Sequence, residues 1–253
     1  MRLKDRVVVV TGAARGIGAE YCAALAKEGA WVAATDIMDG SALAESIARA
    51  GGTAFYTRLD VTDAPGIKAA FELIAEKYGK IDALVNNAAV WGGINVCPLE
   101  ELTLQEWDRV FEVNAKGTFL CTQAVVPFLK KQGGGRIVNI TSSSVYTAPA
   151  GIPHYIASKS AVIGLTRALA RELGPYNITV NSIAPGFTLS EATLDVINKT
   201  GRTSWNERIV AGRCLQRSMY PGDLTGALIY LCSDDSSFMT GQEINVDGGI
   251  AFK

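Results

Sequence analysis

The feature that most limits what this chain can fold into lies near its start. Arg6-Val7-Val8-Val9-Val10 runs into Thr11-Gly12-Ala13-Ala14-Arg15-Gly16-Ile17-Gly18, then into a helical run from Ala19 to Glu28 that stops at Gly29. A β-branched run without polar alternation is what a strand buried on both faces of a parallel sheet requires. Strand, glycine-rich turn and helix thus stand in the order of a phosphate-binding βα unit: the glycines let the backbone turn tightly, and the helix N-terminus offers free N–H groups at the positive end of its dipole. The spacing is G-x-x-x-G-x-G, not the G-x-G-x-x-G of many dinucleotide-binding turns, so the glycines alone do not name the ligand.

The same alternation continues along the chain. Trp31 to Thr35, Thr53 to Leu59, Ile81 to Val85, Arg136 to Ile140, Ile178 to Ile183 and Glu243 to Val246 read as strands. Between them, Ser41 to Ala50, Ile67 to Tyr78, Leu104 to about Lys131, the stretch from Tyr155 to Gly174, and Pro221 to Ser233 read as helices. Strands separated by helices predict an α/β fold: a single-domain, Rossmann-type, doubly wound parallel sheet of about seven strands, helices on both faces, spanning residues 1–253. With 253 residues and 48% hydrophobic content, the chain has ample material for one core.

Ligands of such sheets sit beyond the carboxyl ends of the strands, which here carry Asp36, Asp60 and Asn87. Asp36, about 20 residues past the glycines, is placed to accept hydrogen bonds from both adenosine ribose hydroxyls and to repel a 2′-phosphate, which favours NAD over NADP. Arg15 pulls the other way, since a guanidinium near the ribose pairs with that phosphate. Asp36 carries more weight, because Ile37, Met38 and Asp39 follow it and none is basic. Lys plus Arg (24) nearly balance Asp plus Glu (25), with no basic run, so nucleic acid and anionic membrane are not the expected partners. The first five residues lead straight into a short apolar strand, unlike a signal peptide or membrane span, and the expected location is the cytoplasm. Five scattered cysteines and a single histidine give no ligand spacing, so no metal site is expected.

Two further positions carry chemistry. Asn114 falls inside a long helix, either as a solvent-facing or back-bonded residue or as a local distortion that aims a carbonyl or holds a water. Tyr155 and Lys159 are four apart in a helical segment and share a face. An ammonium beside a phenol favours the phenolate and lowers its pKa, which would fit the pair for acid–base work. Tyr and Lys fall four apart by chance in many helices, so the weight comes from Ser142, at the end of a strand thirteen residues earlier.

Taken together, Thr11 to Gly18, Asn86 to Ala89, Asn114, Ser142, Tyr155, Lys159 and Pro185-Gly186 stand in the order and spacing of the short-chain dehydrogenase/reductase family, which the chain resembles over essentially its full length. It departs from the family at Ala89, where glycine is usual, and the expected consequence is a slightly reshaped strand end. The resemblance implies that Tyr155 is the catalytic acid/base, Ser142 hydrogen-bonds the substrate oxygen, Lys159 binds the nicotinamide ribose and lowers the Tyr155 pKa, and Asn114 holds a relay water. It also implies a cofactor groove of Gly12, Arg15, Gly16, Ile17, Gly18, Asp36, Asp60, Val61, Asn87, Tyr155, Lys159, Pro185, Gly186 and Thr188. The Tyr-x-x-x-Lys spacing and the chain length look unlike the extended epimerase branch or the enoyl reductases. They leave an alcohol dehydrogenase or ketoreductase, and the run from Val145 through Ala170 is similar to the bacterial phenylethanol and pyridoxal dehydrogenases.

Phe187 to about Tyr220 reads as a long irregular, polar stretch, the expected place of a substrate lid. Trp91, Ser142, Ser144, Tyr146, His154, Tyr155, Phe187 and Trp205 are the candidate substrate-contacting residues, and the aromatic ones favour an apolar or aromatic secondary alcohol or ketone. Phe111, Phe119, Val162 and Leu165 supply more apolar surface than one sheet face needs, and with the family resemblance they imply a homotetramer. Two other functions compete: an NADPH-dependent 3-oxoacyl-thioester reductase, and a catalytically silent dinucleotide sensor.

Overall fold

The computed structural model describes residues 1–252. Its centre is a seven-stranded sheet in which every pairing is parallel, in the order β3-β2-β1-β4-β5-β6-β7. The strands are β1 (Val7–Thr11), β2 (Trp31–Asp36), β3 (Thr53–Arg58), β4 (Ala83–Asn86), β5 (Gly135–Ile140), β6 (Ile178–Pro185) and β7 (Glu243–Val246). The order reverses between β1 and β4, which opens a crevice at the carboxyl edge between them.

Helices α1 (Gly16–Lys27), α2 (Ser41–Arg49) and α3 (Ala64–Tyr78) follow the first three strands. Beyond β4 come α4 (Leu104–Phe111), α5 (Gly117–Lys131), the single turn α6 (Ser144–Thr147) and α7 (Pro153–Leu173), and beyond β6 come α8 (Glu191–Thr200), α9 (Trp205–Gly212) and α10 (Thr225–Cys232). The period of two along β1 sorts its valines between two cores. Val8 and Val10 join Tyr21, Leu25, Leu228 and Leu231 of α1 and α10 on one face. Val7 and Val9 join Phe71, Ile74, Val125 and Leu129 of α3 and α5 on the other. Both faces of the central strand are therefore dry, which is why its sequence shows no alternation.

Three expectations about elements need correction. The helix read as one piece from Leu104 to Lys131 contains a turn of π-helix over Glu112–Lys116, with Asn114 in it. Phe187 to Tyr220 is not irregular: it holds α8 and α9, whose short amphipathic patterns are broken by Gly201 and Ser204. Val162 is 1% exposed and packs within the subunit, so it is not part of an outer apolar face, whereas Phe119 is 42% exposed.

Candidate active site

The glycine turn is held from both sides of the crevice. The Thr11 hydroxyl accepts from the backbone N–H of Asn87 and of Ala88, each at 3.1 Å, and the Asn87 amide donates to the carbonyls of Thr11 and Gly12. Gly12 and Gly16 adopt φ values of +64° and +59°, where a side chain would be strained. Gly18 is required for a different reason, since a Cβ there would lie 2.1 Å from the Gly12 carbonyl oxygen. Ala89 is exposed and lies outside the left-handed region, so its methyl group costs the strand end no strain. Beneath the turn, Asn86 donates to Thr122 and Asn139, and Asn139 to Thr166, a buried network that ties β4 and β5 to α5 and α7.

Asp36 ends β2 beside this turn, one carboxylate oxygen accepting from the Ala14 N–H and the other from the Met38 N–H, each at 2.9 Å. Its position is thereby fixed at the wall of the cleft. Arg15 reaches away from Asp36 and pairs with Asp195 of α8 at 2.8 Å.

On the far side of the crevice, α7 starts at Pro153, which fits the first turn because it has no N–H to lose. It carries Tyr155 and Lys159 on the face turned to the end of β5. The Tyr155 phenol shares the cleft wall with Ser142, which acts to lower the phenol pKa and whose hydroxyl accepts from the Ser144 hydroxyl at 2.9 Å. Lys159 is 3% exposed and donates from Nζ to the Ile140 carbonyl at 2.7 Å. Its Nζ lies 5.9 Å from the centre of the Tyr155 ring. The expected lowering of the phenol pKa by the lysine is overturned by burial. Desolvation pushes Tyr155 up to about 12 against the opposing effect of Ser142, and pushes Lys159 down to about 8.

Asn114 lies behind the pair, fully buried, with Oδ1 accepting from Val90 N–H at 2.7 Å and Nδ2 donating to the Ser158 hydroxyl at 3.1 Å. Its carbonyl accepts from the Thr118 hydroxyl. The π-helical turn and these side-chain bonds are the local distortion, not the solvent-facing alternative.

One cleft of about 1030 Å³ collects nearly all of these groups. It is lined by Gly12, Arg15, Gly16, Ile17, Gly18, Asp36, Asp60, Val61, Asn87, Pro185 and Thr188 along one arm, and by Trp91, Ser142, Ser144, Tyr146, Tyr155, Lys159 and Phe187 along the other. Besides Asn114, three expected residues are not on its wall. His154 is fully buried with its ring 3.8 Å from Glu106, and burial lowers its pKa, so it is a neutral core ring and not a substrate contact. Trp205 stands edge-on behind Phe187 at 6.0 Å, supporting the wall without forming it. Gly186 instead packs on Asp247, where a Cβ would meet the Asp247 Cα at 2.8 Å.

Several wall residues gave no signal in the sequence. Ile250, Ala251 and Phe252 arrive from the far end of the chain, and Arg109, Ile152 and Thr193 come from helix starts and faces that no motif marks. Among the described residues no group of three or more His, Cys, Asp or Glu is placed to hold a metal ion, and no helix is long and apolar enough to cross a membrane.

The profile of a family described as enoyl-(acyl carrier protein) reductase matches residues 12–251. The chain belongs to the short-chain dehydrogenase/reductase family. It is 41% identical to a 3-oxoacyl-[acyl-carrier-protein] reductase of Thermotoga maritima, covering 99% of each chain. It is 36% identical to a cyclopentanol dehydrogenase of a Comamonas species over 98% of each. The crystal structure of levodione reductase superposes with a TM-score of 0.92 at 29% identity, covering 98% of both chains. The protein is accordingly an oxidoreductase of the short-chain type, a family that uses NAD or NADP.

Proposed function

We propose that the protein transfers hydride between NAD(H) and an apolar or aromatic secondary alcohol or ketone, with Tyr155 as the acid/base. The observation that carries this reading is the Tyr155 phenol held against Ser142 in a cleft it shares with Lys159 and the Asp36-bounded glycine turn. A dinucleotide fits the residues present: Gly12 and Gly16 shape a tight turn that leads into the N-terminus of α1, and the fixed Asp36 carboxylate suits ribose hydroxyls. The cofactor would supply the hydride acceptor or donor, and the protein position, proton and polarity. Ser142 would orient the substrate oxygen. Tyr155 would donate its proton to the carbonyl oxygen in reduction, from the protonated form that its raised pKa maintains at neutral pH, and in oxidation it would take the alcohol proton once deprotonated, so the oxidative rate rises toward alkaline pH. Lys159 would hold the nicotinamide ribose, and Asn114 the outer end of the proton path.

The Arg15–Asp195 pair supports NAD, because the guanidinium that would meet a 2′-phosphate already has a carboxylate partner. The 41% identity to a 3-oxoacyl-thioester reductase favours a second reading, the NADPH-dependent reductase of that class. A homotetramer in the cytoplasm completes the proposal, supported by the outward apolar residues Leu104 (81% exposed) and Phe119 (42% exposed). A single monomer peak in sizing chromatography at micromolar concentration would exclude the tetramer.

The test is a rate panel with 1-phenylethanol, cyclopentanol, a hydroxysteroid, a sugar alcohol and a 3-hydroxyacyl thioester, each with NAD and with NADP. The expected result is fastest turnover of a small apolar alcohol with NAD, lost in Tyr155→Phe by at least a thousandfold. Preference for NADP with the thioester establishes the second reading instead. Turnover unchanged in Tyr155→Phe removes the catalytic assignment, and no turnover of any alcohol with either cofactor, with dinucleotide still bound, leaves the dinucleotide sensor.

A further inference from the structure

Trp91 stands between two parts of the protein that the catalytic assignment leaves unconnected. Its ring packs on the Tyr155 ring, centroids 5.0 Å apart and planes at 51°. Its indole N–H donates to the Thr193 hydroxyl of α8 at 3.0 Å. Thr193 is 3% exposed, and its own backbone N–H is held by the Ser190 hydroxyl that caps the helix. The hydroxyl therefore has a fixed place, and the indole has one good acceptor.

The surrounding packing makes the same connection. Ile94, Ile152, Tyr155 and Val196 form a small apolar cluster separate from the two cores on the sheet faces. It joins the loop after β4, the start of α7 and the inner face of α8. An indole N–H with no acceptor in such a place carries a desolvation cost, so the ring seats on Tyr155 when α8 presents Thr193 to it.

We propose that Thr193 is a positioning residue: by accepting the Trp91 indole N–H it seats that ring on the Tyr155 phenol, so that docking of α8 over the cleft sets the place of the proton-transfer group. This rests on the reading of Tyr155 as the acid/base. Thr193 hydrogen-bonds neither the phenol nor Ser142; its hydroxyl also meets the Ser190 hydroxyl at 3.2 Å and its side chain borders the cleft, so its link to the phenol runs through the indole. The coupling gives the segment that closes the cleft a direct effect on catalysis as well as on binding, because the bond exists only while α8 lies against the loop after β4.

The experiment is a double-mutant cycle on kcat and kcat/KM with the fastest alcohol of the panel and NAD. Thr193→Val keeps shape and removes the acceptor, Trp91→Phe keeps a ring and removes the donor, and Thr193→Ser keeps the hydroxyl. Each of the first two is expected to lower kcat roughly five- to tenfold, the loss of one buried hydrogen bond. The double variant is expected to fall no further than the lower single, because the bond is removed once. Thr193→Ser is expected within about twofold of the parent, and the alkaline limb of the pH–rate profile to move in Thr193→Val but not in Thr193→Ser. Thermal unfolding of each variant confirms that the fold is kept. Parental kcat in Thr193→Val, losses that multiply in the double variant, or a Thr193→Ser protein as impaired as Thr193→Val would each overturn the proposal. Tyr155→Phe, measured alongside, separates the two failures: if it is inactive while Thr193→Val is parental, only this inference falls, and if it keeps its rate, the functional reading falls with it.

Discussion

Lys159 carries a pH signature that can be read without any substrate. Its ammonium is 3% exposed, makes one hydrogen bond to the Ile140 carbonyl and has its pKa brought down by burial from 10.5 to about 8. In the unfolded chain the lysine keeps its proton to about pH 10.4. Between pH 8 and that value the unfolded state holds more protons than the native one, so stability on this group's account rises with pH. At about 1.4 kcal/mol per pH unit, the span from 8 to 10.5 amounts to about 3 kcal/mol. Below pH 8 the full burden of the buried charge is present, and near pH 10.5 it is gone. Tyr155 acts in the opposite sense above pH 10, since its phenol keeps a proton to about 12 in the native state, and this applies equally when Lys159 is replaced. The assay is urea denaturation of the parent and of Lys159→Met at one protein concentration from pH 7 to 10.5. The difference in unfolding free energy, parent minus variant, should climb by about 3 kcal/mol over that range. A difference that stays flat from pH 8 to 10.5 would mean the ammonium is not desolvated as its burial implies, and the account of both titrating groups would fall with it.

Two further outcomes follow from the walls of the cleft. Gly18→Ala sets a Cβ against the Gly12 carbonyl oxygen at 2.1 Å, whereas Gly16→Ala meets only the Ser190 Cβ at 3.5 Å and is burdened by φ alone. Gly16→Ala should cost about 1 kcal/mol in thermal or urea unfolding and Gly18→Ala at least twice that, with dinucleotide affinity falling more in the latter; equal effects would contradict the packing. Glu243 of β7 accepts from the hydroxyls of Thr141 and Tyr146 and so pins both sides of the Ser142 segment. Glu243→Gln should destabilise by about 1–3 kcal/mol and lower kcat/KM, and an unchanged urea midpoint would show that the carboxylate bonds contribute nothing.

How much of this was legible before folding depended on whether the signal was local. The valines of β1, the glycine turn and Asp36 each impose their constraint within a few residues, and the structure puts the valines in the central cores and the turn and Asp36 at the carboxyl ends of β1 and β2. The π-helical turn at Asn114 was half legible: an asparagine inside a helix announces a distortion, but the Val90 and Ser158 partners that hold it lie 24 and 44 residues away. His154 shows the reverse failure. Adjacency to Tyr155 in sequence placed it near the substrate, yet on a helix successive residues point about 100° apart, so a neighbour of an inward-facing tyrosine turns to the packing between helices, here against Glu106 of α4.

The reading of Phe187 to Tyr220 as irregular fails for a physical reason. The helices there are eight to ten residues long and carry few buried apolar side chains, in α8 mainly Val196 and Ile197 and in α9 none. Short helices with so little apolar face are marginal on their own and read as loop. Their order comes from tertiary contacts: Asp195 on Arg15, Lys199 on the Gly93 carbonyl, Thr193 on Trp91, and Arg213 gripping the Phe187 and Arg217 carbonyls behind them. Each of these three α8 contacts ends on the glycine turn or on the loop after β4, two segments that border the cleft. A segment stabilised chiefly through the walls of a cleft depends on residues far from it in sequence, so its weak intrinsic signal and its order in the fold have one cause.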